Sequence, residues 1–271
     1  MRIFLTGATG YIGNAVALNL RKHGHDVDAL VRPESETGSL REAGVALIPG
    51  DLSTLSSLRF SGYDAIVHAA VAKKNAVALD RGAVEVFTKS GRPFLYTSGV
   101  WILGNTTNAN ESTRVNPLPV VAWRPAHEQL VLQSGGAALR PGCVYGGRQS
   151  MFADWFTSVK QGTPIRIVGD GKNRWALVAL DDLADCYLRA IEQRATGVLH
   201  ATDDTHSTLN DLARALSKDA KIDHVCVDRE KLGPVADALL VDQVISSEAT
   251  RRKLGWKPKQ TFASAAREVD Q

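Results

Sequence analysis

The sequence predicts an α/β fold with a doubly wound parallel sheet and a small C-terminal lobe. The first observation is that short apolar runs alternate with segments of helical periodicity through the first half of the chain. This alternation is typical of a parallel sheet with helices on both faces. The second is a glycine-rich turn, Gly7 to Gly13, which lies between the first apolar run and the first helical segment. Together these features predict a nucleotide-binding sheet of Rossmann type.

The elements follow in order along the chain. Six strands are predicted from apolar runs: Arg2–Thr6, Asp26–Val31, Val45–Ile48, Ala65–His68, Pro93–Thr97 and Ala137–Arg140. Four clear helices are predicted from apolar periodicity: Asn14–His23, Phe152–Lys160, Leu183–Ile191 and Thr208–Leu216. Residues Asn105–Pro119 are rich in Asn, Thr and Pro, which favours a surface loop.

Length and composition restrict the class of protein. At 271 residues, the chain suits a single domain spanning 1–271. We expect a cofactor-binding core of about 1–145 plus 177–200, and a substrate lobe of about 146–176 and 201–271. The net charge of +3 is too small to indicate nucleic acid or membrane binding. Three scattered cysteines suggest neither a zinc site nor a disulfide framework, and no apolar run is long enough for a membrane span. Cytoplasm is the expected location, and the oligomeric state is left open.

The glycine turn has a direct chemical meaning. The spacing G-x-x-G-x-x-G follows a strand and precedes a helix, as a dinucleotide site requires. Glycines permit a tight turn and close approach of a pyrophosphate, while the helix N-terminus offers free N–H groups to the phosphates. We therefore expect the cofactor to contact the turn residues Gly7, Thr9, Gly10, Tyr11, Ile12 and Gly13.

The end of the second strand bears on which nucleotide is bound. An acid at this position favours NAD, whereas a nearby arginine favours the 2′-phosphate of NADP. The chain has Val31-Arg32 here, with Asp26 and Asp28 too early for the role. Arg32 is therefore either a phosphate ligand or a solvated loop residue, and NADP is preferred over NAD.

Motifs spread along the chain resemble those of the extended short-chain dehydrogenase/reductase family. They are the opening turn, Gly50-Asp51-Leu52, His68-Ala69-Ala70, Arg140-Pro141, Val144-Tyr145-Gly146, Asp181-Asp182-Leu183-Ala184 and Leu254-Gly255-Trp256. The resemblance implies that Asp51 lies beside the adenine and that His68, Ala69 and Ala70 line the cofactor. It also implies cofactor contacts by Leu52, Thr97, Ser98, His127 and Pro141.

The chain departs from this family at the catalytic pair. The family uses Tyr-x-x-x-Lys on one helix, in which the tyrosine is the acid/base. Here Trp123 stands at the tyrosine position and His127 at the lysine position. An indole N–H is only a donor and cannot act as a base. The usual mechanism therefore does not carry over, and the chain resembles an atypical member.

Three residues are candidates for the remaining chemistry. His127 could exchange protons or bind a ribose hydroxyl, although a histidine on the helix surface or beside the helix cap is an equal alternative. The family's catalytic serine aligns with Gly99, so Ser98 is a candidate only if the register slips by one residue. Tyr145 lies in a Val-Tyr-Gly turn that could border the pocket.

Two functions follow. The leading one is an NADP(H)-dependent oxidoreductase that acts on a small molecule through altered acid/base residues. The other is an inactive NADP-binding protein with a redox-sensing or regulatory role. If the tryptophans line the site rather than the core, the substrate is flat or aromatic: Trp101, Trp123, Trp155 and Trp175.

Overall fold

A seven-stranded parallel sheet forms the centre of the fold in the computed structural model, which describes residues 1–147 and 149–264. The strands are β1 (Arg2–Thr6), β2 (Asp26–Val31), β3 (Ala46–Pro49), β4 (Ala65–His68), β5 (Phe94–Thr97), β6 (Thr106–Ala109), β7 (Ala137–Pro141), β8 (Cys143–Tyr145), β9 (Ile165–Val168), β10 (Leu177–Ala179), β11 (Gly197–Ala201), β12 (Ile222–Val225) and β13 (Gln243–Ile245). The large sheet has the order β11-β7-β5-β4-β1-β2-β3, and its neighbouring strands are all parallel. The predicted doubly wound sheet is confirmed.

Helices cover both faces of this sheet. They are α1 (Tyr11–Lys22), α2 (Gly38–Glu42), α3 (Ala76–Lys89), α4 (Arg124–Gln133), α5 (Ala153–Gln161), α6 (Leu180–Glu192), α7 (Leu209–Leu216), α8 (Arg229–Leu232), α9 (Val235–Leu240) and α10 (Glu248–Leu254). Helices α1 and α6 pack together on one face, and α3 and α4 on the other. Within the described residues, no helix is long and apolar enough to cross a membrane.

The two faces are buried because side chains alternate along each strand. In β1, Ile3 and Leu5 join the core beneath α1 and α6, whereas Phe4 points to the opposite core beneath α3. This period of two is the signature of a strand that is buried on both sides. The arrangement fixes the carboxyl ends of β1, β4 and β5 side by side at one edge of the sheet.

A third hydrophobic cluster lies outside the large sheet. Aromatic side chains form its centre: Tyr145, Phe152, Trp155, Phe156, Trp175 and Phe262. Three two-stranded parallel sheets accompany it, β8 with β10, β9 with β12, and β6 with β13. Trp155 and Trp175 are thus core residues, which excludes them from a substrate wall.

One predicted loop contains a strand. Within Asn105–Pro119, residues Thr106–Ala109 form β6, which pairs with β13 more than a hundred residues later. A run of Thr, Thr and Asn carries no alternating apolar signal, so its partner and not its local sequence determines this strand. The first helix begins at Tyr11, three residues before the predicted start, because the glycine turn leads directly into it.

Candidate functional site

The glycine turn brings β1, α1 and the end of β4 into close contact. Gly7 has a φ of +85°, and a Cβ there would lie 2.5 Å from the carbonyl carbon of Ala69. A Cβ on Gly13 would lie 2.1 Å from the carbonyl oxygen of Gly7. Because such distances are sterically forbidden, both positions require glycine. The turn therefore has the tight geometry on which a dinucleotide site depends.

The first backbone N–H groups of α1 are not capped by a side chain of the N-cap residue. Gly10 is the N-cap and provides no side-chain cap, and the first turn contains no acidic residue. The first backbone N–H groups are therefore available for a phosphate. Thr9 and Gly10 are exposed here, while the Tyr11 hydroxyl donates to the carbonyl oxygen of Gly146. Ile12 is half-buried and faces the cavity described below.

The ends of β2 and β3 carry the polar residues expected near the adenosine. The Arg32 side chain is 54% exposed, and its Nε lies 3.4 Å from Glu34 Oε1. Asp51 caps the 3₁₀ turn that begins at Leu52, with its Oδ1 accepting from the Ser53 N–H at 2.8 Å. The Ser53 hydrogen bonds, with a smaller contribution from Arg32, hold the pKa of Asp51 below its ordinary value. Asp51 is thus a fixed carboxylate, and Arg32 is a nearby cation with exposed surface.

At the end of β4, backbone atoms lie against the glycine turn, whereas the His68 side chain lies in a separate polar network. The backbone of Ala69 and Ala70 lies against Gly7. The His68 ring is buried in the opposite direction, with Nδ1 2.6 Å from Thr6 Oγ1 and Nε2 3.3 Å from Asp80 Oδ1. The ring of His68 therefore belongs to a polar network below the strand ends, while the two alanines lie beside the turn.

Asp80 on α3 is the centre of this buried network. Its Oδ2 accepts a hydrogen bond from the Tyr96 hydroxyl at 2.8 Å and lies 2.6 Å from His127 Nδ1. Burial raises the pKa of Asp80, but hydrogen bonds from the two histidines and Tyr96 outweigh that effect and hold the pKa below its ordinary value. The carboxylate is therefore ionised and shared among three side chains.

His127 is buried, and within the described residues it does not line the cavity. Its side chain is 4% exposed, with Nδ1 directed at Asp80 and the ring 5.0 Å from that of Trp123. The Nε2 atom has no hydrogen-bond partner among the described residues and is not one of the fully buried polar atoms. A surface position for His127, one of the two alternatives, is therefore wrong.

A cavity of about 290 Å³ opens beside the glycine turn. Tyr11 and Ile12 from α1 form one side, and the end of β5 forms another with Ser98 and Gly99. The remaining wall is mostly apolar: Val100, Trp101, Val121, Pro141, Gly142, Cys143, Val144 and Met151, with Arg124 and Gln149. Burial raises the pKa of the Cys143 thiol to about 12, so this sulfur stays protonated and is a poor nucleophile.

Ser98 is the hydroxyl that the structure places on this wall. The residue is 8% exposed, and its Oγ is buried without a hydrogen-bond partner in the described chain. A buried hydroxyl is usually hydrogen-bonded, so the unpartnered Oγ makes Ser98 a candidate ligand contact on the cavity wall. The neighbouring Thr97 is different, because its Oγ1 lies 2.5 Å from the Tyr187 hydroxyl.

Tyr145 lies elsewhere, contrary to its expected place beside the pocket. Its side chain is completely buried, and its hydroxyl donates to Asp203 at 2.7 Å, with the Gln260 carbonyl oxygen 3.1 Å away. Burial and the adjacent carboxylate raise the pKa of this hydroxyl. Tyr145 is the last residue of β8 and not part of a turn, and its ring belongs to the aromatic cluster, which explains why it does not line the cavity.

Two residues of the site were not identified from sequence. Asp80 shares a helical stripe with Ala83, Val84 and Phe87, so an acid within an apolar face was the available signal. Arg124 follows Trp123 directly, and no local pattern indicates that its side chain lies at a cavity. Its guanidinium reaches the cavity because α4 begins at this residue.

The fold and the turn together define an α/β protein of the Rossmann type, with a cavity of about 290 Å³ beside the glycine turn. The sequence profile of the NAD dependent epimerase/dehydratase family matches residues 3–201. The chain belongs to this family, and the expected relationship to the extended short-chain dehydrogenase/reductases is confirmed.

Relatives and solved structures agree with this membership. The Schizosaccharomyces pombe protein C2A9.02 is 28% identical over 281 residues, with 95% of both chains covered. The 2-alkyl-3-oxoalkanoate reductase of Stenotrophomonas maltophilia is 27% identical and covers 73% of this chain and 67% of its own. A dTDP-glucose 4,6-dehydratase of Bacillus anthracis, solved with NAD, has a TM-score of 0.83 at 14% identity, covering 99% of this chain and 95% of its own. The last comparison shows the shared fold.

Proposed function

We propose that the protein is an NADP(H)-dependent oxidoreductase that reduces a carbonyl group on a small, flat substrate in the 290 Å³ cavity. The observation that carries the proposal is the unpartnered Ser98 hydroxyl on the cavity wall beside the glycine turn. A relative named as a reductase supports the direction of the reaction. Three unpaired cysteines are consistent with the reducing conditions of the cytoplasm, where we place the protein.

The residues present fit the cofactor. The uncapped helix end at Gly10 suits the pyrophosphate, and the side-chain-free surfaces of Gly7 and Gly13 permit close approach. Arg32 suits the 2′-phosphate, and Asp51 lies near the adenosine end. When bound, NADP(H) supplies or accepts the hydride.

The chain's own residues then control the oxygen and its proton. Ser98 donates its hydroxyl hydrogen to the substrate oxygen, since no described residue competes for it. Asp80 holds Nδ1 of His127, which leaves Nε2 as the nitrogen that binds a ribose hydroxyl of the cofactor. Trp101 provides a flat wall for the substrate. Residues 146–176 and 201–271 form the substrate lobe in this proposal.

A second candidate is favoured by one observation. The only tyrosine among the described lining residues is Tyr11, and its hydroxyl is already bonded to Gly146. A cavity with no free tyrosine acid also suits a non-catalytic protein that senses the redox state of NADP and passes it to a partner.

The test is a titration with NADPH followed by turnover of a panel of aromatic and aliphatic carbonyl compounds. Gly10→Ala is the binding variant, because its Cβ would lie 3.3 Å from the Gly7 carbonyl oxygen, so the turn has to shift slightly at the place proposed for the phosphates. We expect its Kd for NADPH to rise about tenfold. Gly82→Ala, where nothing lies within 4 Å of the added Cβ, is the matched control.

Ser98→Ala tests the chemistry. We expect kcat/KM to fall about a hundredfold with an unchanged Kd for NADPH, as for loss of one donor to a developing oxyanion. Ser61→Ala, at an exposed turn, is the control. Binding of NADPH without turnover of any compound favours the sensor, and absence of NADPH binding contradicts both candidates.

A further inference from the structure

Arg124 is a partly buried cation on the cavity wall. It occupies the first position of α4, next to Trp123. Among the described residues that line the cavity, it is the single charged side chain. Its neighbours on that wall are mostly apolar.

The protein holds this guanidinium in one orientation. Its NH1 donates to the Thr97 carbonyl oxygen at 2.8 Å and to the Tyr96 hydroxyl at 3.3 Å. Its central carbon lies 4.6 Å from the centre of the Trp123 ring, a cation–π distance. NH1 is thus hydrogen-bonded to the end of β5, and the guanidinium also packs against the ring of Trp123, the tryptophan at the position of the family's tyrosine.

The other edge of the guanidinium is free. Within the described chain, Nε and NH2 have no hydrogen-bond partner, and no carboxylate lies at ion-pair distance from Arg124. Two comparable arginines differ in this respect. Arg140 binds both carboxylate oxygens of Glu128, and Arg174 binds both of Asp242 through Nε and NH2. The fold therefore pairs these arginines internally and leaves the Nε–NH2 edge of Arg124 open.

A fixed, open guanidinium edge recognises a planar anion with two oxygens. Nε and NH2 form parallel N–H donors that match a carboxylate in a bidentate pair. The cavity of about 290 Å³ leaves room for a small molecule. Its flat apolar surface at Trp101 suits an aromatic or conjugated ring.

We infer that the ligand of this cavity is a small planar carboxylate, bound through the Nε and NH2 of Arg124. The inference rests on the proposed function insofar as this ligand is the substrate. Arg124 is then the residue that sets specificity, while Ser98 contacts the reacting oxygen.

Ligand binding tests the inference without turnover. Benzoate and its neutral isostere benzamide are titrated into the full-length protein with saturating NADPH, and tryptophan fluorescence and calorimetry report binding. We expect benzoate to bind about tenfold or more tightly than benzamide. Arg124→Gln should remove this preference, and Arg124→Lys should retain only part of it because the paired donors are lost. Arg92→Gln, on the exposed loop before β5, should leave the preference unchanged.

Two results would overturn the inference. One is equal affinity of the wild-type protein for benzoate and benzamide, which requires no variant to fold. The other is a benzoate preference that persists in folded Arg124→Gln. Thermal unfolding of each variant identifies loss of folding, and Arg124→Lys serves if Arg124→Gln does not fold.

Turnover distinguishes this inference from the proposed function. With NADPH, 4-carboxybenzaldehyde should exceed benzaldehyde in kcat/KM by about tenfold or more, mainly through KM, and Arg124→Gln should equalise the two. Reduction of both aldehydes at equal efficiency overturns the carboxylate inference and leaves the oxidoreductase intact. A benzoate preference without any turnover supports Arg124 as the anion site and contradicts the oxidoreductase.

Discussion

Oδ2 of Asp80 on α3 lies 2.6 Å from Nδ1 of His127 on α4. The carboxylate also accepts from Tyr96, and it is 2% exposed. A carboxylate on one ring nitrogen fixes the tautomer of a histidine, so Nε2 is left as the acceptor. The buried histidine of α4 is thus accompanied by an acid on the adjacent helix α3.

Replacing Asp80 should destabilise the protein. Asp80→Asn removes the charge and one of the two equivalent acceptor oxygens, so buried donors from His127, His68 or Tyr96 lose a partner. We expect the free energy of unfolding, measured by urea denaturation at pH 7, to fall by about 2 to 3 kcal/mol. Asp219→Asn, on an exposed turn, is the control and should change it by less than about 0.5 kcal/mol. A loss equal to the control would show that the network contributes nothing.

Two variants of His127 separate its structural contact from its free nitrogen. Asn at this position keeps an N–H near the place of Nδ1 but lacks Nε2, whereas Leu removes both. We expect His127→Asn to remain within about 1 kcal/mol of the wild type in unfolding free energy, and His127→Leu to lose about 2 kcal/mol. If Nε2 serves the cofactor or the proton, His127→Asn should still raise the Kd for NADPH or lower kcat by about tenfold. Unchanged binding and turnover in His127→Asn would assign His127 a structural role alone.

The parts of the fold that follow from local patterns were predictable. All six predicted strands belong to the large sheet, and their predicted limits agree with the observed ones within one residue. The steric need for Gly7 and Gly13 follows from the motif and matches the observed contacts with Ala69 and Gly7. Such features depend on neighbours in sequence or on one strand–turn–helix unit.

The contacts between distant elements were not predictable in the same way. Asp80 and His127 lie 47 residues apart and meet because α3 and α4 pack on one face of the sheet. Tyr145 and Asp203 are paired across 58 residues, and no local pattern shows that the tyrosine hydroxyl is occupied. The open Nε–NH2 edge of Arg124 was not predictable for the same reason, because the sequence does not show which distant residues lie near the guanidinium.

Arg32 should determine the preference for NADP(H). Its side chain is 54% exposed at the end of β2, and its ion pair with Glu34 is long at 3.4 Å, so a 2′-phosphate can compete for it. We expect Arg32→Ala to raise the Kd for NADPH about tenfold or more, the effect of losing a charge-assisted contact, with the Kd for NADH nearly unchanged. Fluorescence titration with both nucleotides measures this, and Arg92→Ala is the exposed control. Equal weakening of NADPH and NADH would contradict a 2′-phosphate role.

His200 should make stability depend on pH. Its ring is completely buried in β11, with Nδ1 3.0 Å from the Ser246 carbonyl oxygen and Nε2 3.4 Å from the Arg140 guanidinium. Burial lowers its pKa from 6.5 to about 4, aided by the positive charge of Arg140. Between these values the unfolded chain binds a proton that the folded chain does not, so stability is complete above pH 6.5 and decreases as the pH falls towards 4.

The loss over this interval should reach about 3 kcal/mol, since one pKa unit corresponds to about 1.4 kcal/mol. Urea denaturation of the wild type and of His200→Asn is measured from about pH 7.5 to about pH 4.5, a range chosen to cover that interval. The quantity compared is how steeply the free energy of unfolding of each protein changes with pH. Asn keeps a donor for the Ser246 carbonyl oxygen but does not titrate, and carboxylates common to both proteins cancel in the comparison. Parallel pH profiles for the two proteins would mean that His200 gains its proton in the folded state as easily as in the unfolded one.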